Sequence, residues 1–237
     1  MQFDKITAPS LKDIFISRLQ DAIISGEIKI GEKLPSEREL SDTMQVSRAV
    51  VNSGIVELSH RGFVEIVPRQ GVFVSDFRRK GNMETLNALM DYEGVIFSES
   101  SVRSILEIRK AAEHLVVERI IQIGTEEDLN ALGQILGDLS EAKTPEEASE
   151  IAFNFWHELS YRCGDLIIPL TVQSFKKPVT TLWIRFCMKY GIDALVKNTS
   201  AIYSAICKRD LIAASIEVEE SLMRSLEGDF PIYDEKK

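Results

Sequence analysis

Apolar residues recur at helical spacing over most of the chain and alternate at strand spacing in one short stretch. Leu40 and Met44 stand four apart, and Val51, Ile55 and Leu58 follow at the same period, so each set makes one stripe on a helix. Phe63-Val64-Glu65-Ile66-Val67 and Val72-Phe73-Val74 read as two strands around Pro68-Arg69-Gln70-Gly71, a turn that places Arg69 at its tip. The punctuation agrees. Pro35 limits the chain to an extended entry, Ser36 can cap the first helix, and Glu39 completes a capping box. Ser47 is a second good N-cap, and Arg61-Gly62 stops the second helix. Two helices joined by a tight turn and followed by a hairpin describe a winged helix-turn-helix, a shape that enters a DNA major groove.

From Met83 onward no convincing strand pair occurs. Periods of three and four run through Leu86, Leu89 and Met90, then Val102, Ile105, Leu106, Arg109, Ala112 and Val116, then Leu129, Leu132, Leu136 and Leu139. Phe155 with Leu159, Leu182 with Phe186, and Ile202 with Ile206 continue them. This pattern predicts an all-α antiparallel bundle of six or seven helices, so the chain as a whole is mainly α. Gly124-Thr125, Lys143-Thr144-Pro145, Gly164-Asp165, Gly191 and Arg209-Asp210 divide the helices; Thr125 to Asp128 and Thr144 to Glu147 are capping boxes or close variants. The expected organisation is a domain over residues 1–76, a charged linker over 77–82 and a helical domain over 83–230. Within the linker Arg78-Arg79-Lys80 is read as solvated, with contact to a DNA backbone as the alternative.

Composition narrows the picture. At 237 residues with 44% hydrophobic content, the chain can bury two cores. No apolar run is long enough to span a membrane, and the start Met1-Gln2-Phe3-Asp4 is not a signal peptide, so a cytoplasmic location is expected. Cys163, Cys187 and Cys207 lie far apart in helical patterns and are read as reduced thiols rather than metal or redox groups. The net charge of −9 is unevenly placed: residues 1–80 hold 12 Lys+Arg against 11 Asp+Glu, and residues 81–237 hold 16 against 26. A DNA domain with balance +1 has no broad basic field. Its affinity must come from a few placed arginines, doubled by the two-fold symmetry of a homodimer on an inverted-repeat operator.

The residues Leu34 to Leu40 (leucine-proline-serine-glutamate-arginine-glutamate-leucine), Val46-Ser47-Arg48, and Arg69-Gln70-Gly71-Val72-Phe73-Val74 resemble the N-terminal domain of the GntR family of bacterial transcription regulators. The resemblance implies phosphate or base contacts from Arg38, Ser47 and Arg48 and along the same helix at Ala49 and Asn52. It implies minor-groove contacts from Arg69, Gln70 and Gly71. Two positions depart from the family pattern: Asn52 stands where a second arginine is common, and Val50 where a small residue is usual.

The second half resembles the helical effector domain of the FadR branch of that family. Glu107-Ile108-Arg109-Lys110-Ala111-Ala112-Glu113 is similar to its first long helix, and Phe155 to Leu159 with Gly164-Asp165 to a later one. Many members hold a divalent metal through an aspartate, a histidine four residues on, and two later histidines. Here the aspartate position is Phe153, His157 remains, and the later positions fall near Thr199 and Ser221, so no metal and no cofactor are expected. The missing ligands, with Asn154 and a closing Glu227-Gly228-Asp229, resemble the acyl-CoA-responsive members.

The candidate effector residues are Arg109, Glu113, Asn154, His157 and Trp183. Arg109 lies in an apolar stripe, so it either pairs with Glu113 or awaits an anionic ligand group. His157 either lines a cavity or is an ordinary half-buried histidine. Aromatic residues at helical spacing, Phe153, Trp156, Phe175, Trp183, Phe186 and Tyr203, line an apolar ligand site or form plain core.

No phosphate loop, nucleophile elbow or metal-hydrolase helix is present, which excludes the common enzyme classes. The expected protein is a DNA-binding transcription regulator of repressor type, governed by a small-molecule effector such as an acyl-CoA or another anionic metabolite. The alternatives are an interaction or scaffolding protein that has lost DNA binding and a metal-dependent carboxylate sensor.

Overall fold

The computed structural model describes residues 9–92, 98–227 and 231–233. Its chain forms two compact units, Met1–Tyr92 and Glu93–Lys237.

In the first unit α1 (Leu11–Ile24), α2 (Glu37–Met44) and α3 (Arg48–His60) precede a hairpin of β1 (Val64–Val67) and β2 (Gly71–Val74). The expected caps are in place. The Ser36 amide donates to Glu39 Oε2 at 2.8 Å while the Glu39 amide donates back to Ser36 Oγ at 3.3 Å, and Ser47 Oγ receives the Val50 amide at 3.3 Å. Phe15, Ile16, Leu19 and Ile23 of α1 share one core with Val51, Ile55 and Leu58 of α3. The two helices meet closely at Gly54, where an added Cβ would stand 2.4 Å from the Phe15 ring. The hairpin is antiparallel with Val64 opposite Val74 and Val67 opposite Gly71. Gly71 has φ 120°, a conformation suited to glycine. The chain before α2 adds a rung that its sequence does not announce: the Leu34 amide donates to Val72 O at 2.8 Å and the Val74 amide to Glu32 O at 2.9 Å.

The segment expected as a linker is part of this unit. α4 (Phe77–Lys80) and α5 (Met83–Met90) follow the hairpin directly. Phe77 packs its ring 5.5 Å from that of Phe63, Gln20 Nε2 donates to Ala88 O at 3.3 Å, and Thr85 Oγ1 donates to Arg61 O. The charges that suggested a linker lie on the surface, where Lys80 meets Glu65 at 2.6 Å, while the apolar residues between them anchor the segment. The division falls between Tyr92 and Glu93 instead.

The second unit contains, among the described residues, seven helices: α6 (Glu99–Ile123), α7 (Glu126–Glu141), α8 (Pro145–Tyr161), α9 (Ile167–Ser174), α10 (Lys176–Tyr190), α11 (Ile192–Cys207) and α12 (Leu211–Glu227). α8 is central and packs on α6, α7, α9, α10 and α11. Phe155, Leu159, Leu132, Leu139, Leu182 and Ile202 form the driest part of the core. Thr125 and Thr144 cap α7 and α8, and Gly191 (φ 84°) turns the chain between α10 and α11. Arg209 adopts φ 56° between α11 and α12 and spends its guanidinium on the open end of α6, donating to Ile120 O at 2.9 Å, Ile121 O at 3.1 Å and Gly124 O at 2.6 Å. A cation there also complements the negative end of the helix dipole. Gly228 and Asp229 of the closing motif lie outside the described residues, as do Met1 to Asp4.

Asp128 ties α7 to α8. Hydrogen bonds from the Thr125 amide at 2.9 Å and from Arg162 Nη1 at 2.8 Å hold its carboxyl down at about 2, below its ordinary 3.8. The ionised form is therefore the one the fold favours. Its contribution to stability is complete above about pH 4 and declines as pH falls towards 2. Asp128→Asn is expected to flatten the pH dependence of thermal unfolding in that acid window, with only a constant loss at neutral pH; an unchanged slope would remove Asp128 from the acid response.

Candidate functional sites

The first site is the surface made by the start of α3 and the tip of the wing. Ser47, Arg48, Ala49 and Asn52 are exposed on α3, and Arg69 and Gln70 are exposed on the wing. Ser47 Oγ accepts as the helix cap, which leaves its hydroxyl proton free to donate outward. Asn52 Nδ2 donates to Glu37 Oε1 at 3.0 Å and so ties α3 to α2. Arg38 is 76% exposed and lies 3.8 Å from Asp42, a weak surface pair. Gly71 is half-buried against Lys33 and serves the wing's backbone rather than its outer face.

Charge placement on this unit is informative. Several of its cations are compensated locally: Arg61 by Glu57 at 2.9 Å, Arg79 by Asp76 at 3.2 Å and Lys80 by Glu65. Among the described residues Arg48 and Arg69 make no ion pair, nor do Arg18, Lys29, Lys33 and Arg78; position and backbone set the first two apart. Arg48 occupies the first turn of α3, where the helix dipole disfavours a cation by roughly 0.3–1 kcal/mol. Arg69 holds φ 64°, a left-handed conformation that costs a non-glycine residue on the order of 1 kcal/mol. Both residues stand where local folding energetics would not place them, and both face outward.

The second site lies within the bundle. An apolar cavity of about 70 Å³ is walled by Ala112, Val116, Phe153, Trp156, Phe175 and Trp183, with Arg109 and Glu113 in the same wall. A smaller polar recess shares Arg109, Trp156 and Trp183 with it and adds Asn198, Thr199, Ser221 and Ser225. Arg109 therefore stands at the junction of the two. Its side chain is 10% exposed, its guanidinium carbon lies 4.4 Å from the centre of the Trp183 ring, and its Nε donates to Glu113 Oε1 one turn along α6. Burial pushes the Glu113 carboxyl up, and Arg109 only partly opposes that. Glu113 Oε2 is buried and has no hydrogen-bond partner among the described residues, a cost of roughly 1–3 kcal/mol for such a group.

Of the residues expected here, Arg109, Glu113 and Trp183 come together: Arg109 pairs with Glu113, the first of its two readings, and it also lines the recess. Asn154 does not join them. It is exposed on α8 and lines neither cavity. His157 lines neither cavity as well; it is half-buried with its ring stacked 6.1 Å from that of Phe153. Asn198, Ser221 and Ser225 were not singled out as ligand groups, because serine and asparagine on a helix carry no signal of the direction they face. Thr199 and Ser221, at the positions where the resemblance implies metal ligands, do face the recess. The donor set does not fit a divalent metal: Phe153 supplies no donor and Thr199 spends its hydroxyl on Leu195 O at 2.9 Å. Among the described residues, no three His, Cys, Asp or Glu side chains form a metal-sized group.

Residues 15–74 match the family model described as "Bacterial regulatory proteins, gntR family", and residues 104–222, half of the chain, match the "FCD domain". The chain is 28% identical over 180 residues to the HTH-type transcriptional regulator Mce2R of Mycobacterium tuberculosis, covering 74% of this chain and 73% of the relative. It is 25% identical over 193 residues to the HTH-type transcriptional regulator LutR of Bacillus subtilis, covering 78% and 85%. Among solved structures, the regulator Lar of Listeria monocytogenes aligns with a TM-score of 0.64 at 15% identity over 92% of this chain and 96% of that one, which shows the shared fold. The matched families and relatives are transcription regulators, not enzymes. No helix among the described residues is long and apolar enough to cross a membrane.

The buried pair makes a stability prediction. Glu113→Ala leaves the Arg109 charge uncompensated in the bundle and is expected to cost about 3–5 kcal/mol, whereas the double variant Arg109→Met with Glu113→Leu should recover most of that loss. Chemical denaturation of the native protein, Arg109→Met, Glu113→Leu and their double variant checks it, and additive losses of the two single variants would show that the side chains are not energetically paired.

Proposed function

Because this chain belongs to the GntR family of bacterial regulatory proteins and carries an FCD domain, we propose that it represses transcription as a homodimer whose hold on an inverted-repeat operator is altered by an anionic effector in the bundle. The DNA half of this reading is supported by Arg48 and Arg69, the two unpaired cations at the start of α3 and the tip of the wing. A unit with balance +1 over residues 1–80 gains little from general attraction, so the few contacts must be repeated by a two-fold partner. Ser47 and Gln70 add neutral donors beside these cations, while Arg38 and Asn52 reach phosphates only after loosening their contacts to Asp42 and Glu37.

Arg109 carries the effector half. A guanidinium stacked on Trp183 and lining a recess that also holds Ser221 and Ser225 suits an anionic head group, and the adjoining apolar cavity suits an uncharged tail. The effector acts by preferring one arrangement of the dimer over another, because a ligand that binds two states equally shifts neither. With no metal ligands to anchor it, the anion depends on Arg109 and on neutral donors.

Arg48→Ala is expected to weaken binding to the duplex from the chain's own upstream region by at least about tenfold, the size of one lost base or phosphate contact. The fold should remain intact and its melting temperature unchanged or slightly higher; unchanged duplex affinity would take Arg48 out of the interface. Small carboxylates and acyl-CoA thioesters screened by thermal shift should include at least one that raises the melting temperature of the protein. That protection, and any change in duplex affinity, should vanish in Arg109→Met; protection that survives the substitution would move the effector elsewhere.

A further inference from the structure

Glu113 is left with work that the fold does not supply. It is 5% exposed, its Oε1 accepts a hydrogen bond from Arg109 Nε, and its Oε2 is buried in the cavity-lining wall with no donor among the described residues. Charge gives a second and separate constraint. Arg109 and Glu113 form a neutral pair in surroundings of tryptophan, phenylalanine and aliphatic side chains. A monoanion added to Arg109 would leave this enclosure with one uncompensated negative charge, a costly state away from water. Two further cations stand near these walls without touching Glu113: Lys176, paired with Glu150 at 2.7 Å and 5.6 Å from the centre of the Phe153 ring, and Arg224, which donates to Asn198 at 2.8 Å and to Glu220 at 3.2 Å. The missing positive charge and the missing hydrogen-bond donor are needed at the same place.

We propose that the effector is a zwitterion, an amino acid with an apolar side chain, whose acid group binds Arg109 while its ammonium group donates to Glu113 Oε2. This rests on the reading of Arg109 as the anion site and specifies what the anion must carry with it. The ligand then adds no net charge to the enclosure, satisfies the orphaned oxygen, and places its ammonium in a cavity walled in part by Trp156 and Trp183. The 70 Å³ cavity offers room for about five water-sized groups, enough for a branched aliphatic side chain and tight for a phenyl ring. A plain fatty or aryl-alkanoic acid lacks the donor, and an amine lacks the partner for Arg109.

Calorimetric titration of the full-length protein with matched sets tests this: leucine and phenylalanine, their deamino acids 4-methylpentanoate and 3-phenylpropanoate, and the corresponding amines. At least one amino acid should bind, with its deamino acid and its amine each weaker by about tenfold or more. Glu113→Gln should erase the preference for the amino acid over the deamino acid; where that variant does not fold, the ranking on the native protein decides. A deamino acid that binds as tightly as its amino acid overturns the proposal. If that binding takes up a proton and is lost in Arg109→Met, Glu113 supplies the compensation by protonation, and Arg109 stands as the anion site. Failure of every amino acid to bind also overturns the proposal, while the Arg109 reading falls if no carboxylate or thioester of the wider screen protects the protein or if such protection survives Arg109→Met.

Discussion

The bundle is organised around a guanidinium and a carboxylate taken out of water together. Arg109 and Glu113 are one turn apart on α6, at 10% and 6% side-chain exposure, and neither could occupy its position alone. Helix formation by itself does not favour their arrangement, since an acid preceding a base by four residues is the better order along a helix and here the base comes first. Packing explains it instead. Placing the guanidinium against Trp183 and at the recess, with the carboxylate towards the apolar cavity, requires this order on this face of α6. The aromatic residues of α8 and α10 then have two functions, excluding water from the pair and forming the wall of the space beside it.

In the DNA-binding unit the same logic applies to helix ends. Ser36 and Glu39 obey the preferences of a helix start, with a hydroxyl cap and a negative charge at the positive end of the dipole. Arg48, the first residue of the next helix, opposes that dipole, and Arg69 accepts a left-handed backbone. A fold can carry a few such exceptions when the surrounding structure determines them, and here the Ser47 cap, the core formed by Val51, Ile55 and Leu58, and the β-rung from Leu34 to Val72 do so. Exceptions of this kind are a better guide to an interface than overall charge, which in this unit is close to zero.

Much of the fold was legible because the signals that mark it are local. A hydroxyl followed three residues later by an acid identified the starts of α2, α7 and α8, and the positive-φ glycines Gly62 and Gly191 marked stops. The end of the first unit was not legible, because the charges of Arg78 to Lys80 face the surface while Phe77, Thr85 and Ala88 make the contacts, and those partners are distant in sequence. In the bundle the i, i+4 spacing of Arg109 and Glu113 offered their pairing as one of two readings, and the two side chains do pair. Asn154 was misplaced by a likeness of local sequence: it is next to Phe153 in the chain, yet one residue along a helix is a 100° turn, which carries it to the exposed surface. The recess formed by Asn198, Thr199 and Ser221 depends on α11 and α12 meeting α6, a tertiary fact with no local mark.

The placement of the effector pair on α6 bears on how a signal could leave the cavity. α6 is the first described helix after the division at Tyr92 and Glu93, and Arg109 lies ten residues from its start at Glu99. Its far end is fixed, since Arg209 closes the carbonyls of Ile120, Ile121 and Gly124 and α12 packs along its length. A helix held at its C-terminal end and loaded in its middle is freer to respond at its N-terminal end. On the reading proposed for Arg109, the relevant energy is the difference between α6 with a buried pair lacking one hydrogen bond and α6 with that pair completed by ligand. That difference need amount to only a few kcal/mol to redistribute two arrangements of a dimer.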